Sequence, residues 1–131
     1  MAIYGVGAFY EEDVSPDFIS KNLVGVGWEQ TDAPDLHQFM RSLKVGDIVY
    51  IKAAPPGQRI IAKAIGIIID DQICDASNSG GSVHCGRNVR WVTTTAFTLP
   101  ARAGKNNVQS NTLYEEFDPL AQAGIIDRII R

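Results

Sequence analysis

Apolar residues recur in this chain in two rhythms, every second position in several short runs and every third or fourth in two others. Ile3 to Phe9 alternates bulky and small residues with β-branched and aromatic content, which predicts a first strand. Ser15-Pro16-Asp17 then predicts a helix start: a Ser cap, a proline in the first turn and an acid beside it, with the helix ending near Asn22. Leu23 to Trp28 reads as a second strand, with Gly25 and Gly27 on one side and Val24, Val26 and Trp28 on the other. Small residues on one face let a backbone or a ligand approach closely. From Pro34 to Leu43 the period changes. Leu36, Phe39, Met40 and Leu43 make one apolar stripe of a helix capped by Thr31 or Asp32, with His37 on its exposed side.

Lys44 to Asp47 predicts a turn into a strand over Ile48 to Ala53, and Pro55-Pro56-Gly57 a hairpin loop. The return strand, Ile60 to Ile69, is apolar enough to be buried on both sides near its end. Residues 70–88 are rich in Asp, Ser, Asn and Gly and predict an irregular, partly mobile loop. Val89 to Phe97 alternates again as a strand, and a last strand falls around Leu113 to Phe117. Asp118-Pro119 caps a C-terminal helix whose Ile126, Ile129 and Ile130 are expected in the core, with Gly124 its weak point. The expected fold class is α+β: one domain over residues 1–131, a compact β-barrel of five or six strands with two or three peripheral helices.

Composition narrows this picture. A chain of 131 residues fits one domain and buries roughly two thirds of its unfolded surface, so it needs no disulfide or metal to hold it. No run approaches the roughly 18–20 apolar residues of a membrane span; the longest, Ile60 to Ile69, is interrupted by Lys63. The first residues lack a basic start and run into Glu11, Glu12 and Asp13, unlike a secretory signal. A cytoplasmic protein, not associated with a membrane, is the expectation. A net charge of −3 argues against a general nucleic-acid coating protein, which carries a strongly basic surface. Yet Arg87, Arg90, Arg102 and Lys105 follow one another with no carboxylate between them. They form either a small nucleic-acid footprint or a solvated strand end.

Few motifs for catalysis are present: no nucleophile elbow, Walker loop, HExxH or CxxC. Cys74, Asp75, His84 and Cys85 have no recognised zinc spacing, and neighbours such as His84 and Cys85 rarely ligate one ion. On an extended chain they point to opposite sides, which also argues against His84 activating Cys85. Neither catalytic nor metal-binding residues are assigned, and no cofactor. The tryptophans carry more. Trp28 closes a glycine-bearing strand, and Trp91 lies in the most basic stretch. A pair of aromatics can sandwich a planar base, each stacking face contributing roughly 1–3 kcal/mol, although one tryptophan per strand is equally a core pattern. Tyr50 and Phe9 fit either a core or a pocket wall.

These runs resemble a known group. Ala8 to Asp13, a short helix, then Val24-Gly25-Val26-Gly27-Trp28 resembles the start of EVE and YTH domains, members of the PUA-like superfamily. Leu43 to Ile51 is similar to their Gly-Asp turn and strand, Ile60 to Ile68 to the strand that follows, and Arg87 to Val92 to a strand of EVE-like domains attached to prokaryotic restriction and defence proteins. The resemblance implies a barrel whose pocket holds a flipped or unpaired modified base of DNA or RNA, which is cheapest to capture outside a stacked duplex. It implies Trp28 as a pocket wall, Phe9, Tyr10 and Glu11 as the base-edge loop, Trp91 as the tryptophan of the Arg87–Val92 strand, and Arg87 and Arg90 toward a phosphate; Trp91 and Tyr50 are further candidates for the ligand and Lys52 for a phosphate. Glu11, Glu12 and Asp13 stand where YTH domains favour neutral residues. A carboxylate accepts from an exocyclic amino group, which suits a cytosine-type base, and repels phosphates.

The leading expectation is therefore a non-catalytic reader of a modified or unpaired base that works with a separate effector protein. Two others stand beside it. One is an ASCH-like enzyme acting on RNA or a modified nucleoside, with Glu11, Lys52 and Thr93 as its loose candidates. The other is a protein-interaction module, which the acidic balance suits.

Overall fold

The computed structural model describes residues 1–9, 12–53, 59–100 and 112–131. Among the described residues the chain folds as α+β, with three helices and a curled, half-barrel sheet of seven strands, six along one path and a short seventh beside it. β1 (Ile3–Gly7) leads through α1 (Ser15–Lys21) to β2 (Leu23–Val26), and α2 (Pro34–Ser42) precedes β3 (Ile48–Ala53). β4 (Ile61–Ile68), β5 (Cys85–Thr93), a two-residue β6 (Phe97–Thr98), β7 (Leu113–Glu115) and α3 (Pro119–Ile130) follow. The strands lie in the order β2-β5-β4-β3-β1-β7, with β6 attached to β4. β1 runs parallel to β3 and every other pairing is antiparallel.

Strand alternation splits the core into two layers. Along β3, Val49 and Ile51 join one cluster with Phe18 of α1, Met40 of α2 and Val24 of β2. Ile48 and Tyr50 point the other way, to a cluster closed by Ala121 and Ile125 of α3. Both faces of the central strand are thus dry, as its near-continuous apolar run requires. The register slips once between β3 and β4: Ile51 faces Ala64 while Lys52 faces Ala62, leaving Lys63 as the extra residue of a bulge. A bulge re-aims its side chain. Here it frees the single charged residue of an apolar strand from both cores.

Local chemistry sets the boundaries. The turn before β3 depends on Gly46, whose φ of +93° few other residues adopt. Asp47 ties that turn together, accepting from the Lys44 amide at 2.8 Å and the Ala2 amide at 3.0 Å. The Ser15 expectation shifts by one residue. Ser15 is already helical and Val14 holds the N-cap position, while Asp13 just before it accepts from the Ser15 amide at 3.0 Å and hydroxyl at 2.6 Å. Asn22 ends that helix in the left-handed conformation. α2 starts after Ala33, so neither Thr31 nor Asp32 is its N-cap residue. Asp118 caps α3 as expected, accepting from the Leu120 amide at 3.3 Å.

Several expectations are corrected. β2 ends at Val26, before Trp28. Residues 85–88, read as loop, are the first half of β5, because β2 pairs along them from Val26–Cys85 to Leu23–Asn88. The preceding segment is built of Asx turns about Asp75 and anchored by Cys74, whose amide and carbonyl both bond Gly86 at 2.8 Å. Ile130 is 76% exposed, and Ile125 takes the core position expected of it. The Pro55–Gly57 hairpin lies outside the described residues. Among those described, no helix is long and apolar enough to cross a membrane.

Candidate functional site

Trp28 stands two residues beyond β2, a strand whose four residues are all buried, yet its own side is 53% exposed. Its backbone is fixed. His37, on the second turn of α2, approaches the Trp28 carbonyl with Nε2 at 2.6 Å, so that nitrogen donates. His37 is buried, not on the helix surface as its spacing suggested. The apolar stripe of α2 is wider than four residues, and the imidazole completes it while satisfying a strand-end carbonyl. Trp28 is therefore an exposed ring on a held backbone.

Phe9, just after β1, is 71% exposed. The loop it opens closes on itself: Phe9 bridges Asp13, and the Val14 amide donates to the Ala8 carbonyl at 2.7 Å. Lys63 reaches this base from the β4 bulge and donates to Asp13 Oδ2 at 2.7 Å and Ser15 Oγ at 3.3 Å. Burial works against the Asp13 carboxylate, but the Lys63 and Ser15 hydrogen bonds and the Lys63 charge outweigh it and lower the pKa to about 2. Asp13 and Lys63 are thus an ion pair throughout the neutral range. A lone Lys in an apolar strand was the signal for this contact. Tyr10, Glu11, Arg102 and Lys105 lie outside the described residues.

Arg87 is turned inward. It is 2% exposed, and Nη1 donates to the Met40 carbonyl at 3.2 Å, the Arg41 carbonyl at 3.3 Å and the Leu43 carbonyl, while Nη2 donates to the Asp70 backbone carbonyl at 2.8 Å. Its guanidinium caps the C-terminal end of α2, where orphan carbonyls and the helix dipole favour a cation. No face remains for a phosphate, which corrects that expectation. Tyr50 is likewise fully buried and walls no surface pocket. Its hydroxyl lies 2.5 Å from that of Tyr114 and donates to Glu116 Oε1 at 2.7 Å. Burial raises both phenol pKa values, with Glu116 adding to the effect. Lys52 lies 5.2 Å from the Tyr114 ring centre, half-buried, and burial lowers its pKa.

Trp91 and Arg90 fall together on the flank of β5. Trp91 is half-buried, its Nε1 donating to the Ile19 carbonyl at 3.1 Å, and its ring crosses the position where Gly66 has no side chain. Arg90 is exposed, with no ion-pair partner among the described residues. Both line a cavity of about 510 Å³ that also touches Lys21 and Asn88; a second, of about 550 Å³, shares those two residues in its lining. Trp28 lines neither. The two tryptophans therefore serve different places and do not form one slot in these cavities. Among the described residues no group of three His, Cys, Asp or Glu side chains could hold a metal ion. Cys74 and Cys85 are buried free thiols whose pKa values burial raises. No protein-family model matches the chain, and no curated protein matches it.

Proposed function

We propose that the chain is a PUA-like barrel of the EVE and YTH kind and binds, without catalysis, a modified or unpaired base of DNA or RNA. One observation carries this reading: Trp28 is a half-exposed indole on a backbone held by the buried His37. A held backbone removes part of the freedom otherwise lost when a base settles on the ring, and a base on an aromatic face contributes roughly 1–3 kcal/mol. Phe9, on the loop closed by Asp13 and Lys63, offers a second exposed ring. Tyr10 and Glu11, which follow it, are the proposed contacts to the base edge, with a carboxylate suited to a cytosine-type amino group. Arg90 is the proposed phosphate contact. An effector would act on what it binds, in the cytoplasm and in a prokaryotic defence setting.

The test is tryptophan fluorescence with short single-stranded DNA and RNA, unmodified, methylated or hydroxymethylated. Modification-dependent quenching is expected, and Trp28→Ala should remove it while leaving the fold intact. A folded protein that responds to no oligomer sinks the reading. A protein-interaction module is the second reading, supported by Phe117, Leu120 and Ile130, exposed on and beside α3. It predicts concentration-dependent self-association, or a partner lost on Leu120→Asp, with no oligonucleotide bound.

A further inference from the structure

We infer that the flank between α1 and β5 is a second binding groove, at the end of β2 away from Trp28, that takes a single nucleic-acid strand. This rests on the reading of the chain as a base reader, but uses different residues. The two cavities of about 510 and 550 Å³ meet at Lys21 and Asn88, so they form two compartments of one groove. Each compartment is within the size range of a small-molecule site, which accommodates one nucleotide.

The lining suits a nucleotide better than a peptide. Arg90 is exposed and unpaired among the described residues, at one end of the groove. Lys21 carries the second positive charge at the junction, held there by the Ser79 carbonyl at 2.8 Å and the Ser82 hydroxyl at 2.5 Å, with Asp17 at 3.5 Å. The one carboxylate lining the groove, Asp70, is engaged by the Asn88 amide at 3.1 Å and the Gln72 backbone at 3.1 Å. Asp70 keeps its charge and Lys21 is paired with Asp17, so Arg90 is the cation of the lining left without an ion-pair partner among the described residues. Asn22 and Gln72 supply exposed amides for base edges, and Trp91 presents a half-buried indole. Amides, one indole and an unpaired guanidinium are the groups that hold single strands. A groove of this kind binds irrespective of base modification, whereas the Trp28 ring is the modification-sensitive part.

The chain's two tryptophans separate the sites. The experiment is a ¹H–¹⁵N NMR titration of the full chain with an unmodified thymidine tetranucleotide and with a singly modified one, following both indole signals. The expected result is a Trp91 shift with either oligomer and a Trp28 shift with the modified one only. Arg90→Ala should weaken the unmodified oligomer severalfold and lower its log–log salt slope by about 0.7, the value for one phosphate contact on a single strand. Arg90 has no partner among the described residues, so this variant should fold, and Arg90→Lys should restore most of the binding. A Trp28 shift without any at Trp91, and binding unchanged in Arg90→Ala, would overturn the groove and leave the base reader standing. A Trp91 shift with a lysine-rich or acidic peptide but with no oligomer would overturn both.

Discussion

Replacing Arg87 with methionine isolates the contribution of a buried cation that has carbonyls for company and no ion-pair partner among the described residues. Methionine has similar length and fills the same space. Of the four acceptors it abandons, those of Met40 and Leu43 are buried, while those of Arg41 and Asp70 are partly buried and can turn to water. Two buried acceptors left unsatisfied cost about 1–3 kcal/mol each. Against this stands relief from burying a guanidinium whose Nε has no hydrogen-bond partner. The net destabilisation should be ~3 kcal/mol, a large part of the 5–15 kcal/mol typical of a domain. With a urea m-value of about 1.5 kcal/mol/M, the midpoint falls by about 2 M. Arg87→Lys keeps the charge at the helix end but reaches fewer carbonyls, and should fall between. Urea titrations followed by circular dichroism measure all three proteins. A methionine variant within about 0.5 kcal/mol of the parent would refute the reasoning, because the desolvation cost would then cancel the hydrogen bonds. Oligonucleotide affinity per folded molecule should not change in Arg87→Met, in contrast to Arg90→Ala.

Two glycines of one strand should respond in opposite ways. A Cβ at Gly5 would overlap the Tyr114 ring and displace its hydroxyl from Tyr50, whereas one at Gly7 meets nothing nearer than Lys52 at 3.6 Å. Gly5→Ala should cost about 1–3 kcal/mol and Gly7→Ala nothing or less, read from melting temperatures and near-ultraviolet dichroism. Asp13 supplies an acid-sensitive term. Its pKa is about 2 when folded and about 3.9 when unfolded, so its stabilisation is present above pH 4 and lost as the pH falls toward 2. The side chain is 43% exposed, which holds the term to ~1 kcal/mol or less. Asp13→Asn should flatten stability across that window, and an unchanged slope would refute the Lys63 pairing.

The strands were legible wherever two dry faces forced continuous apolar character. Ile48–Ala53 is an example, because both layers of the core flank it. Cys85-Gly86-Arg87-Asn88 was not legible, because two of its four residues are polar for reasons that lie elsewhere. Arg87 serves the end of α2 and Asn88 serves Asp70, a distant need that no local period reveals. His37 misled for the same reason: it looks like a surface residue until the carbonyl it reaches is known. Trp28 and Phe9 stood out as aromatics in glycine-bearing runs, and both rings are exposed. Trp91 and Arg90 were singled out individually. Their common cavity depends on Lys21 and Asn22, which come from a helix end some seventy residues earlier in the chain.

The pairing of β1 has a consequence for how the chain acquires its structure. Its two neighbours are β3, which begins 45 residues further on, and β7, near the other end of the sequence. β1 therefore remains unpaired on one edge until β7, the last strand described, has been made. Long closures of this kind slow folding and prolong the life of exposed strand edges. The antiparallel run β3-β4-β5 needs only nearer partners and can form beforehand, a template on which β1 docks late.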